Sequence, residues 1–147
     1  MTIPVSLLVA VTAQLLCQLF KVVAYSIRDR RFEPRYFTTA GGMPSSHSAF
    51  VTALTVAVGL ARGFDSEIFA VSFVFSAIVI YDAYRLRGHV EDQAEVLNRL
   101  QESLPSGQRI RLSEMVGHSV SEIVAGVAFG VACAVLISAG FGAMGLG

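Results

Sequence analysis

The sequence predicts an all-α integral membrane bundle of about four short transmembrane helices, with one further amphipathic helix at the surface. Three observations predict it. Hydrophobic residues make up 54% of the 147-residue chain and charged ones 15%, with a mean hydropathy of +0.62; a soluble domain carries about 25% charged residues. The apolar residues fall into four long stretches that fill most of the chain. Nine of the eleven Lys and Arg residues lie in two of the polar segments between those stretches. A soluble bundle of buried helices is the alternative, and it leaves so many consecutive apolar residues unexplained.

The first stretch covers residues 3–25. It has no basic region before it and no small-residue cleavage site after it, so it reads as a retained membrane helix and not as a signal peptide. The second (46–61) and third (67–84) are short beside the ~20 residues that span a hydrocarbon core. They form a helical hairpin turned at Arg62-Gly63-Phe64-Asp65, with local thinning of the bilayer. The fourth covers 119–144. Within the polar segment 85–118, apolar residues at Val90, Ala94, Leu97 and Leu100 alternate with charges. That spacing predicts an amphipathic helix over 90–104, lying on the membrane surface or capping the bundle and ended by Pro105-Ser106-Gly107. The length fits a single membrane domain over 1–147.

Arg28, Arg30, Arg31 and Arg35 occupy the first polar loop; Arg85, Arg87, Arg99, Arg109 and Arg111 occupy the second. By the positive-inside rule both loops face the cytoplasm, and both termini face the other way. The location expected is a bacterial inner membrane with its polar site toward the cytoplasm. The net charge of zero gives no signal for nucleic acid. Cys17 and Cys133 sit in apolar runs without metal-ligand spacing and read as small buried hydrophobes. No metal site and no cofactor are expected.

Two polar segments enter helices. In Gly41-Gly42-Met43-Pro44-Ser45-Ser46-His47-Ser48 the Gly pair and Pro end a loop, and the serines suit a helix cap. The free N–H groups and positive dipole end of the helix that follows suit a phosphate. Ser45 and Ser46 add hydroxyls, and His47 adds an acid or base near neutral pH. A polar cap with an incidental histidine explains the segment equally well. In Gly117-His118-Ser119-Val120-Ser121-Glu122, His118 and Glu122 share a helical face, so the carboxylate can hold one imidazole nitrogen protonated and free the other as a nucleophile. A helix-start salt bridge is the ordinary reading.

Lys21 and Arg28 are two turns apart and point one way from the end of the first helix. A lysine in an apolar segment is a functional candidate, although it can also snorkel to the interface. Asp82, at the membrane edge, is a candidate too, or a partner of Arg85 or Arg87. Taken together, two histidines, two helix N-termini and several cations on one face are what phosphoryl transfer through a phosphohistidine requires.

The order Lys-x6-Arg, Pro-Ser-Ser-His and His-x3-Glu resembles the three signature motifs of the type-2 phosphatidic acid phosphatase superfamily, which includes vanadium-dependent haloperoxidases. GGMPSSHSA, the stretch from Tyr81 to Asn98 with Asp82, Arg87 and His89, and LSEMVGH resemble its divergent branch, called acid phosphatase/vanadium-dependent haloperoxidase-related. The resemblance covers nearly the whole chain. It implies that Lys21 and Arg28 clamp a phosphate and that Ser45 and Ser46 donate to its oxygens. It further implies that His47 is the general acid, His118 the nucleophile and Glu122 its orienting carboxylate.

The chain departs from the superfamily pattern in several places. Asp29 stands where Pro follows the Arg, Ser46 stands at a Gly, and the last carboxylate is Glu in place of Asp. Leu112 occupies the position of the third motif's Arg, a cation that Arg87 or Arg111 can replace. Members commonly have six membrane helices, against about four here.

Two functions follow as expectations. One is a metal-independent phosphatase of a lipid phosphate or pyrophosphate; the other is a non-catalytic descendant that binds phosphorylated lipid headgroups or serves membrane assembly. A transporter needs an enclosed path for which four short helices leave little room. Expected partners are membrane lipids, a phosphorylated lipid and a second copy of the chain. The homodimer is expected to bury Gly126 and Gly130, whose small-xxx-small spacing lets helices approach closely; packing against the first helix is the alternative.

Overall fold

The computed structural model describes residues 3–32, 34–37, 41–105, 109–112 and 117–143. Ser106, Gly107, the stretch 113–116 of LSEMVGH, Met144 and the side chain of Arg35 lie outside the described residues. Four α-helices carry the fold: α1 (Val5–Arg28), α2 (Ser46–Arg62), α3 (Glu67–Gln101) and α4 (Val120–Ala143), with a 3-10 turn at Pro34–Phe37. Among the described residues there is no strand. The chain is an all-α membrane bundle. Helices α1, α3 and α4 are long and apolar enough to cross a membrane.

The shorter α2 is the axis of the bundle, packed against all three of the others. Its sequence explains the position. Ser46, Ser48, Ala49, Ala53, Ala57 and Gly59 leave little side chain on its buried surface, so neighbouring backbones come close. From α1, the line Val9, Ala13, Cys17 and Lys21 recurs every four residues and is fully buried. From α4, Gly126, Gly130 and Ala134 do the same. Val9, Ala13, Ala53, Ala57 and Ala134 form the apolar core. The turn from α2 to α3 is made by Gly63 at φ 91°, a conformation that L side chains rarely adopt. Ser66 caps α3 by accepting from the Phe69 N–H.

Two expectations are corrected here. The segment 90–104 is not a separate surface helix; it is the second half of α3, which runs unbroken for 35 residues to Gln101. Nothing between Tyr84 and Val90 stops a helix. Gly88 alone lowers the local preference, by ~1 kcal/mol, and the Asp82–Arg87 bond at 3.2 Å spans the junction. At 1.5 Å per residue α3 is about 52 Å long, beyond the ~30 Å of a hydrocarbon core. The helix therefore leaves the bilayer intact and continues into the polar phase.

The Gly126/Gly130 face is likewise not a free dimer surface. A Cβ at Gly126 would collide with the Ser45 carbonyl and the Ser48 side chain, and one at Gly130 with Ala49. The partner is α2, where the sequence offered a second copy or the first helix.

Helix α3 scarcely touches α4 and is held to the bundle through α2. Hydroxyls make that contact. Thr55 Oγ1 and Ser76 Oγ lie 2.6 Å apart, and Ser76 Oγ donates to the Val51 carbonyl at 2.9 Å. Thr55 Oγ1 also lies 2.9 Å from the Val51 carbonyl and 3.2 Å from the Ser72 carbonyl, alternative acceptors for its single proton. Interhelical hydrogen bonds in lipid contribute about 0.6 kcal/mol on average and up to about 1.7. Ser76→Ala is expected to cost an amount in that range, measured by unfolding in mixed micelles. No measurable loss would show that apolar packing alone holds α3.

Candidate active site

The C-terminal part of α1, the N-termini of α2 and α4, and the middle of α3 converge at one end of the bundle. Ser45 caps α2: its hydroxyl oxygen accepts from the Ser48 N–H at 3.3 Å and the Ser48 hydroxyl at 3.0 Å. Its own N–H donates to the Glu122 carbonyl at 2.9 Å, which ties the start of α2 to the start of α4. These two contacts occupy the acceptor sites of the Ser45 hydroxyl and leave its own proton to donate. Ser46 Oγ is buried and has no partner among the described residues. His47 follows on the first turn, with a buried Nδ1 that also has no partner.

At the start of α4 the sequence Ser119-x-x-Glu122 forms a reciprocal cap. Ser119 Oγ accepts from the Glu122 N–H at 3.3 Å, and the Glu122 carboxylate accepts from the Ser119 N–H at 3.2 Å. The same carboxylate oxygen lies 3.0 Å from His118 Nδ1. A carboxylate only accepts, so Nδ1 carries the proton and Nε2 presents its lone pair. That Nε2 is buried and unpartnered. Burial pushes the His118 imidazole below its ordinary range, more than the Glu122 hydrogen bond and charge pull it up. The ring is thus a neutral base or nucleophile at physiological pH. The rings of His47 and His118 lie 6.1 Å apart between centroids, at 63°.

Lys21 is fully buried in α1, and its ammonium donates to the Gly41 carbonyl at 3.2 Å. Its charge acts on both histidines. Arg28 shares its helix face yet lies beyond the buried part. Its guanidinium sits 4.6 Å from the Tyr25 ring centre and bonds to Asp29 at 2.9 Å, with 64% of the side chain exposed.

Of the two arginines that can stand in for the one missing at Leu112, the structure brings Arg87 to the histidines. Arg87 bonds Asp82 at 3.2 Å, and its charge acts on both rings. Arg111 instead lines a surface hollow with Asn98, Gln101, Glu102 and Arg109. His89 is mostly exposed, 3.9 Å from Asp92.

Sequence reasoning missed several residues of this site. Tyr25 Oη accepts from the Met43 N–H at 2.7 Å, and Gly42, at φ 93°, lies against that hydroxyl. Cys17 Sγ lies 3.6 Å from the Pro44 carbonyl. Lys21, Tyr25 and Cys17 therefore hold the strap 41–44 across the end of the bundle; their four-residue spacing on α1 was the available signal. Glu91 accepts from the Gly117 N–H at 2.9 Å. Asn98 brackets Leu112, accepting from its N–H and donating to its carbonyl, both at 2.9 Å. Chemically, the end of the bundle combines an imidazole with an open Nε2 lone pair, a second imidazole, a buried lysine, a buried hydroxyl and two positive helix ends.

No solved structure matches the chain. It is 35% identical over 139 residues to "Uncharacterized membrane protein YuiD" of Bacillus subtilis (strain 168), an alignment covering 85% of this chain and 88% of that protein. The profile of the Divergent PAP2 family matches residues 4–133, which include all four helix starts and the paired His47 and His118. With nearly the whole length matched, the chain belongs to the Divergent PAP2 family.

Proposed function

We propose that this protein is a metal-independent phosphatase of lipid phosphates or pyrophosphates, acting at the cytoplasmic face of a bacterial inner membrane. The observation that carries the reading is the pair of imidazoles 6.1 Å apart beside a buried lysine, each ring with a buried, unpartnered nitrogen. His118 Nε2 attacks phosphorus, the bond to the leaving oxygen breaks, and His47 gives that oxygen a proton. Water then attacks the phosphohistidine, losing its proton to His47, and releases inorganic phosphate with His118 restored. Lys21, Ser46 and the N–H groups at the start of α2 stabilise the equatorial oxygens. Arg87 supplies the third cation, and Arg28 meets the substrate at the rim.

The test is phosphate release by purified protein from mixed lipid phosphates, with His118→Ala as the control. Vanadate is expected to inhibit, because it takes the five-coordinate geometry of in-line attack, and EDTA is expected to have no effect. Activity that needs added Mg²⁺ and vanishes with EDTA would contradict the mechanism.

Leu112 favours a second reading, a non-catalytic descendant that binds phosphorylated headgroups. That reading expects saturable binding to phosphatidic acid vesicles by wild type with no phosphate released.

A further inference from the structure

Helices α3 and α4 scarcely meet in the bundle, yet the segment that delivers His118 to α4 is pinned to α3. Arg87, bonded to Asp82, then Glu91, then Asn98 follow one stripe of α3, four and then seven residues apart. Asn98 holds Leu112 and Glu91 holds Gly117, the residue before His118. Two glycines make the second contact possible. A Cβ on Gly117 would lie 3.0 Å from Gly88 Cα, 3.1 Å from Gly88 N and 2.8 Å from the Glu91 carboxylate. Without side chains the two backbones meet closely enough for the Gly117 N–H to reach that carboxylate.

We propose that Glu91 is a positioning residue for His118: its carboxylate fixes the Gly117 N–H, one residue before His118, as Glu122 fixes the ring. This deepens the phosphatase reading and rests on His118 as its nucleophile. Two carboxylates then divide one task. Glu122 sets the tautomer and the rotation about the side-chain bonds, and Glu91 sets where the Cα starts from. A cavity of about 430 Å³ lies alongside, lined by Glu91, Gly117, His118, Ser119 and Glu122 among others. Cutting the tether is expected to admit water from this cavity to the imidazole. The groups whose charges act on His118 or its neighbouring ring are Glu122 from α4, Lys21 from α1, Arg87 and Asp82 from α3 and His47 from α2, and Arg85, His89, Glu91 and Asp92 of α3 line the same cavity. Glu91→Gln removes the Glu91 charge and keeps the acceptor, so it separates the tether from the charge.

The experiment is ¹⁵N NMR of the His118 side chain in nanodiscs, titrated with pH, for wild type, Glu91→Gln, Glu91→Asp and Glu91→Ala. Glu95→Ala, on the exposed side where Glu95 pairs with Arg99, is the control. Wild type, Glu91→Gln and the control are expected to keep one Nδ1–H tautomer and a midpoint below 6.5. Glu91→Gln retains an amide oxygen that accepts from Gly117. Glu91→Ala, and Glu91→Asp through its shorter reach, are expected to lose the fixed tautomer and move the midpoint up toward 6.5.

In turnover, kcat is expected to fall roughly 10- to 100-fold in those two with KM little changed, and to return in Glu91→Gln. If Glu91→Ala fails to fold, the Asp and Gln pair decides. Wild-type His118 signals in the Asp or Ala variant, or equal disturbance in Gln and Asp, would overturn the assignment. Turnover absent in wild type while the His118 signals still depend on Glu91 would sink the phosphatase reading and leave the tether standing.

Discussion

Replacing His118 with alanine is expected to reduce phosphate release to the rate of the empty membrane, whatever the leaving group. The bond-forming atom is gone, and His47 is held by its own helix at the opposite side of the shared space. His47→Ala is expected to behave differently. A general acid contributes about 10²–10⁴-fold, and its absence matters most when the leaving oxygen is basic. Alkyl phosphates should lose that full factor, while aryl phosphates with acidic leaving groups should retain slow turnover. The comparison is made on kcat across a leaving-group series for wild type and both variants. Equal residual activity in the two variants would remove the division of roles.

The pH profile follows from the same geometry. Protonated His118 cannot attack, so the rate falls as pH drops through its pKa. Burial holds that pKa under 6.5, so the acid limb of kcat/KM belongs below pH 6.5, and the rate falls again on the alkaline side as His47 loses the proton the leaving oxygen needs.

Gly126→Leu is expected to have the second largest effect, on the fold itself. The added Cβ points into the Ser45 carbonyl and the Ser48 side chain, and no rotamer of leucine avoids that first carbon. To make room, α4 must withdraw from α2, which breaks the Ser45 N–H bond to the Glu122 carbonyl and carries Glu122 from its place. Overpacking of a tight core costs about 1–3 kcal/mol, and here it falls on a backbone contact that cannot rotate away. Gly140→Leu is the matched control, since nothing lies within 4 Å of a Cβ there. Thermal unfolding in detergent should drop for Gly126→Leu alone, with no change in the mass of the particle. A change of mass without loss of stability would return the Gly face to a subunit interface.

Much of the site was legible because it is local. Ser45-Ser46-His47 and His118 to Glu122 are short-range patterns, a cap and a one-turn pair, and a helix repeats such geometry wherever it occurs. The apolar stretches were legible for the same reason. What escaped was set by distance or by medium. Hydropathy reports which solvent surrounds a residue, so the change at Tyr84 marked where α3 leaves the lipid and not where the helix ends. Glu91 and Gly117 are 26 residues apart, and neither looks unusual in its own neighbourhood. Gly126 and Gly130 announced a close helix partner without naming it, because small residues fit any backbone that comes near.

The central position of α2 has a consequence for how the protein is made. A helix of 17 residues, with serines and threonines along a face meant for protein, is poorly suited to lie alone in lipid as it leaves the ribosome. It enters most favourably as one unit with α3 across the Gly63 turn, their shared hydroxyls already satisfied by each other. Helix α4 is synthesised after the other three, and it brings Glu122 and the glycines that close over Ser45, with His118 just before it. Until it inserts, a nascent chain holds the anion-attracting end of α2 without a nucleophile beside it. Under the proposed mechanism, turnover therefore waits for α4 to insert.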